Sequence, residues 1–189
     1  MAASTYVIIA VAVLALYATF IFNRLVALRQ AWNRAFADID VQLKQRQDLV
    51  PNLVEAVKGY AAHESAVFTA VTQARATAMR ATNVAEKGAA ESALSGALTN
   101  LLAVAENYPQ LKASENFLKL QDELNDLENK IAAARRFLNN EVAEYNAAIQ
   151  QFPAVMVAGL FGFAPAQMFG LDATERTQAK DAPKVSFSS

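Results

Sequence analysis

Residues 5–22, TYVIIAVAVLALYATFIF, carry no charged side chain, and the first charges beyond them are Arg24, Arg29 and Arg34. A helix of this length, at about 1.5 Å rise per residue, is roughly 27 Å long, close to the hydrocarbon thickness of a bilayer. A secretory signal peptide is the competing reading. It fits less well: Met1 to Thr5 contain no basic residue, the apolar stretch is long, and no clear small-x-small cleavage site precedes the polar chain. An uncleaved anchor is therefore expected. No Lys or Arg precedes the run, whereas Arg24, Arg29, Arg34, Lys44 and Arg46 follow it, so the bias of positive charge places residues 1–4 outside and the rest in the cytoplasm. Tyr6, Tyr17, Phe20 and Phe22 lie near the ends of the run, where aromatic rings favour the interface.

The remaining chain is long enough for one core of its own. It is rich in Ala, Leu, Asn, Gln and Glu and poor in Gly and Pro, a composition that points to an all-α protein. With no cysteine, disulfides, thiolate metal sites and a cysteine nucleophile are excluded. The net charge of −1 lacks the footprint of a nucleic-acid binder, and no nucleic-acid partner is expected. The charge is unevenly placed, basic in excess between Arg24 and Arg80 and acidic in excess between Glu106 and Phe152. Side-by-side packing of the two segments would gain modestly from this, at most about 1 kcal/mol per exposed ion pair.

Apolar or small residues recur at Phe117, Leu120, Leu124, Leu127, Ile131, Ala134, Leu138, Val142, Tyr145, Ile149 and Phe152. These steps of three and four are a coiled-coil-like heptad seam with one irregularity near Leu138. Such a stripe needs a partner along its length. Ser114 and Glu115 mark the start of this helix, and Pro153 ends it. A second seam, Leu25, Leu28, Trp32, Phe36, Ile39 and Leu43, follows the apolar run without a turn residue, which predicts one continuous helix to about Asp48. There Pro51 either bends the helix or sits in the first turn of a new one capped by Asp48, and a bend, not a domain boundary, is expected. Patterning resumes through Leu53, Val57, Tyr60, Val67 and Val71; ATNVAEKG, residues 81–88, reads as a loop. A further helix over about 89–107 buries Leu94, Leu98, Leu101 and Val104, and YPQLKAS links it to the last long helix. Three to four helices with short links predict an antiparallel up-and-down bundle continuing from the transmembrane helix.

After Pro153 the stretch AVMVAGLFGFAPAQMFGL is almost wholly apolar, yet too short and too interrupted by Gly and Pro to be a second span. Either it packs back on the bundle, the preferred reading, or Val155, Leu160, Phe161, Phe163 and Phe169 lie in the membrane interface or in a partner's groove. Trp32 is expected to be buried against this stretch, with GLFGF capping the membrane-proximal end. The chain thus divides into an outer end (1–4), a transmembrane helix (5–22), a bundle (23–152), a hydrophobic segment (153–171) and a polar tail (172–189).

The segments AWNRAFADIDVQLKQRQDLVPNLVEAVKGYAAHE and ENYPQLKASENFLKLQDELNDLENKIAAARRFLNNEVAEYNAAIQQFP, with the closing GLFGF, resemble in order the LemA family of bacterial membrane proteins. The resemblance runs from about Asn23 to Phe163. It implies a bundle of long helices on the cytoplasmic face of the bacterial inner or cell membrane, behind a single N-terminal span, and no established catalytic activity.

His63 is the only histidine, beside Glu64. A metal site needs more ligands at suitable spacing, so the expected role is a hydrogen-bonded polar residue near a helix interface, with His63 and Glu64 as a fold-specifying or interaction feature. Asp40 and Lys44 have the spacing of a helix-stabilising pair, and Asp48 lies on the same stretch. The run Asp122, Glu123, Asp126, Glu128 reads as a solvated face with which Arg135 and Arg136 could pair. No phosphate-cradling glycine loop, nucleophile elbow or HExxH is present. No catalytic residue, cofactor or metal is expected.

The function expected is therefore a non-enzymatic, membrane-anchored scaffold whose partners are the bilayer, through residues 5–22, and other membrane proteins or further copies of the chain. Ala74, Ala76, Ala78 and Ala81 offer a small-residue face for self-association. An accessory factor of a membrane protease or transporter is the alternative; membrane remodelling is disfavoured because residues 154–171 have no basic face.

Overall fold

The computed structural model describes residues 2–170, with side chains from residue 4; the polar tail expected at 172–189 lies outside the described residues. The described chain is all-α: α1 (Ala2–Lys58), α2 (Ser65–Arg80), α3 (Val84–Ala105), α4 (Pro109–Lys112), α5 (Glu115–Gln150) and α6 (Ala154–Phe161). It forms two compact units, one of residues 2–39 and 133–167, the other of 40–132 and 168–170. Both α1 and α5 contribute to each.

In the first unit the apolar run is the exposed start of α1. Tyr6, Val7, Ile8, Leu14, Leu16, Tyr17 and Phe20 all stand outside the protein, and burial begins at Ile21 and Leu25. These two pack with Tyr145, Ala148 and Ile149 of α5 and with Ala158 and Phe163, while Phe22, Leu28 and Trp32 flank the cluster. Further along, Ala31 and Arg34 share a groove with Phe137 and Glu141. Residue numbers thus rise along α1 as they fall along α5, so the pair is antiparallel. Pro153 stops α5, and α6 ends at Gly162, whose φ of 68° is left-handed. Glycine adopts that conformation without a Cβ penalty. The N–H groups of Gly162 and Phe163 both donate to the Ala158 carbonyl, and the turn sends Phe163 back into the cluster. Phe152 is exposed, because α5 ends before it, and Trp32, expected to be buried, is half-buried, its ring 6.4 Å from that of Tyr145.

In the second unit one core draws Leu49, Val50, Leu53 and Val57 from α1, Phe68, Val71 and Ala78 from α2, Leu94, Leu98 and Leu101 from α3, and Phe117, Leu124 and Leu127 from α5. Burying each such aliphatic side chain stabilises by about 1.5–3 kcal/mol. Three expectations are corrected. Residues 81–88 are not all loop: Asn83 caps α3, accepting from the Glu86 N–H at 2.8 Å, and Gly88 lies inside the helix, where a Cβ would meet Gly170. Tyr60 is exposed, since α1 ends at Lys58. Three of the four alanines expected to form a self-association face are used internally: Ala78 is in the core, with Ala74 and Ala81 packed against it, while Ala76 lines a groove.

α1 also continues through Pro51 instead of starting anew there, and Asp48 pairs with Lys44 one turn back rather than capping a helix. A proline inside a helix deprives the carbonyl four residues earlier of its donor. That carbonyl belongs to Gln47, and Arg75 Nε of α2 donates to it at 2.6 Å. A residue of the next helix thus replaces the backbone bond that the proline removes. Arg75→Ala should lower stability by about 1–2 kcal/mol by stranding this carbonyl, and by less in a Pro51→Ala background, where the N–H of residue 51 can supply the bond. Thermal or denaturant unfolding of the four members of this cycle measures the coupling.

Candidate functional site

The most polar part of the interior lies in the second unit. Arg46 occupies a seam position between Leu43 and Val50 and is only 1 % exposed; Glu91 of α3 stands one helical step before Leu94 and is 4 % exposed. Arg46 Nη2 donates to a Glu91 carboxylate oxygen at 2.5 Å and to the Glu91 backbone carbonyl at 3.1 Å. Its Nη1 donates to Ser95 Oγ and to Glu128 Oε1, both at 2.6 Å. Gln47 Nε2 donates to the other Glu91 oxygen at 2.5 Å. One guanidinium therefore ties α1 to α3 and α5, and a neighbouring amide completes the Glu91 carboxylate. Arg46 Nε is buried without a partner.

Chemically this network is closed. Both terminal nitrogens of Arg46 are engaged by protein acceptors, so they hold helices and offer nothing to a ligand. The polar groove beside it, of about 470 Å³, is lined by Gln45, Asp48, Asn52, Glu123, Asp126 and Lys130 with Leu49 and Leu127. Ligand pockets are usually concave and mostly apolar with a few convergent polar groups, which this groove is not. No group of three or more His, Asp or Glu side chains among the described residues could hold a metal ion.

The residues singled out in the sequence do not converge. Asp40 pairs with Lys87 of α3 and not with Lys44, which pairs with Asp48. His63 is exposed in the turn between α1 and α2 instead of lying at a helix interface, and Glu64 is the residue before α2, with no side-chain cap bond. Of the acidic run on α5, Glu128 reaches Arg46 and Asp126 pairs with Lys130. Arg135 is half-buried and Arg136 exposed on α5. Pro51 stands within α1, in the second unit. Trp32, Phe161 and Phe163 belong to the first unit, where the Phe22 ring meets those of Phe161 and Phe163 edge-on at 4.8 and 5.7 Å. Arg46 and Glu91 were missed, although opposite charges at two seam positions were the signal for them.

Tyr145 and Asn146 fasten the segment after α6 within the first unit. Tyr145 Oη donates to the Ala164 carbonyl at 3.0 Å, and the Asn146 amide both donates to and accepts from the Ala166 backbone at 2.8 Å. Burial pushes the Tyr145 phenol above its usual pKa, against the opposing pull of Arg29.

Two consequences can be measured. Arg46→Ala should cost about 3–5 kcal/mol of stability because it leaves Glu91 buried and uncompensated, whereas Arg46→Met with Glu91→Leu should cost much less; denaturant unfolding compares them. The raised phenol pKa means that the folded state holds the Tyr145 proton more tightly than the unfolded chain does. Its contribution is complete below about pH 10 and is lost as pH rises through the folded value. Stability should therefore fall more steeply above pH 10 in the native protein than in Tyr145→Phe, as read by unfolding across that range.

Against known proteins, the chain is 25 % identical over 174 residues to the magnetosome protein MamQ of Magnetospirillum gryphiswaldense, covering 78 % of this chain and 64 % of that one. It is 24 % identical over 191 residues to magnetosome proteins MamQ 1 and MamQ 2 of Paramagnetospirillum magneticum, covering 86 % of this chain and 70 % of those. The chain thus spans about two thirds of these relatives' length. The sequence profile of the LemA family matches residues 35–187, which include Arg46, Pro51, Glu91 and GLFGF. A match over that much of the sequence, on a membrane-associated all-α chain, establishes that it belongs to the LemA family.

Proposed function

We propose that this protein is a non-enzymatic scaffold of the bacterial cell membrane, anchored by residues 5–22 with its N-terminus outside and its helices in the cytoplasm, and acting by contact with other membrane proteins or with further copies of itself. The observation that carries the proposal is the contrast between the two parts of α1. Residues 6–20 expose their large apolar side chains, a surface that water disfavours and a bilayer accepts. Beyond Leu25 the helix is committed to internal packing, and the charged groups of the interior are engaged with one another. The positive charge following the span supports the orientation. Similarity to the magnetosome proteins supports a role at a membrane without naming a partner.

The bare surface of the span also supports a second reading, an accessory factor that reads a membrane protease or transporter through its span. Exchanging residues 5–22 for an unrelated span of equal length separates the two. Crosslinking in native membranes should recover the same partner bands from the exchanged protein, because the scaffold binds through its cytoplasmic helices. Loss of those bands, with the exchanged protein still in the membrane, would favour the accessory factor.

A further inference from the structure

The eight residues of α6, AVMVAGLF, contain no polar side chain, yet only one face of the helix is covered. Ala158 is buried, and Ala154 and Val157 pack on the cluster of the first unit. On the remaining surface Met156 and Leu160, four residues apart and so on one side of the helix, are 67 % and 80 % exposed, and Phe152, in the turn that precedes α6, is 81 % exposed. A helix apolar on every side belongs in an interior or a membrane. At about 12 Å, α6 is too short to cross a bilayer.

Its place beside α1 identifies what covers it. The Phe161 ring, at the end of α6, packs edge-on against Phe22, the last residue of the apolar run, and Phe163 touches the same ring. Asn23 and Arg24 follow Phe22 directly. Arg29, about two turns further along α1, stands 5.1 Å above the Phe163 ring. Phe161 and Phe163 therefore sit at the level where α1 passes from apolar to charged, which is the headgroup boundary of a bilayer crossed by residues 5–22. The Phe161 ring, 57 % exposed, thus joins α6 to the end of the bare surface of the span.

We infer that α6 is an interfacial anchor: its exposed side, Met156 and Leu160, lies in the acyl–headgroup boundary of the membrane that residues 5–22 cross. The inference rests on the membrane-anchored reading above. The covered face of α6 holds it to α1 and α5, and the Gly162 turn returns the chain to the protein once the anchor is placed. Attraction to lipid here is purely apolar, because α6 carries no basic residue; the nearby cations Arg24 and Arg29 come from α1.

The chain has no native cysteine, so single-cysteine variants report position directly. The full-length protein is reconstituted into vesicles of phosphatidylethanolamine and phosphatidylglycerol, with a bimane label at Leu160→Cys or Met156→Cys, at Leu14→Cys in the span, and at Met79→Cys on α2. Position 14 should emit blue-shifted light and be quenched by lipid-borne nitroxides, and position 79 should emit red-shifted light and be quenched by aqueous iodide. Positions 156 and 160 should shift to the blue and respond to nitroxides near the headgroups, with little iodide quenching. Aqueous behaviour at both positions, with position 14 in lipid, overturns the inference and leaves the anchor intact. Aqueous behaviour at position 14 overturns the anchored reading and the inference with it. Shielding of 156 and 160 from both quenchers, relieved by diluting the protein in lipid, overturns the inference in favour of a second copy covering this face.

Discussion

A guanidinium cannot be buried without compensating charge, and Arg46 is buried. Its neighbours in the second unit follow from that constraint. Glu91 must face it from α3, Glu128 must reach it from α5, Ser95 takes the remaining terminal donor, and Gln47 satisfies the carboxylate oxygen that Arg46 leaves over. A purely aliphatic seam tolerates sliding by a turn, because one leucine replaces another. An arginine bonded to two carboxylates on two other helices does not slide, since any shift strands a charge in a low-dielectric interior. The apolar core supplies the driving force, and this network selects one register.

The same logic explains how a proline survives within α1. Pro51 leaves the Gln47 carbonyl without its helical donor, and Arg75 supplies another from α2. Val50 just before it and Leu53 two residues after it remain fully packed, so the helix has no reason to end there. It stops at Lys58, beyond the last buried position, Val57, and the chain turns through Gly59 to Glu64. His63, in that turn, is held by neither helix.

In the first unit the constraint is water. α1 enters with a surface that has no protein cover, the α6 ring of Phe161 meets Phe22 where that surface stops, and Tyr145 and Asn146 fasten the segment that follows α6. Exposure therefore gives way to burial along one helix, at Ile21 and Leu25.

Much of this was legible in the sequence. The seam from Phe117 to Ile149 emerged as α5, the unbroken patterning past Phe22 emerged as a single helix, and Ser114, Glu115 and Pro153 bracket α5. Such features are local: periodicity, charge exclusion and proline sterics act over a few residues and need no knowledge of the fold. Asn83 was legible as well, since Asn-x-x-Glu is a capping pattern, but the flanking Ala, Thr and Gly read more strongly as a loop. What only the tertiary structure decided are the choices between equally plausible partners. Asp40 could pair with Lys44 one turn away, yet it pairs with Lys87 of α3, and Pro51 could end a helix but for an arginine 24 residues further on. Composition and periodicity determined that the chain is helical and that it carries an apolar run long enough to cross a membrane; which charges meet depends on distances that exist only once the helices have packed.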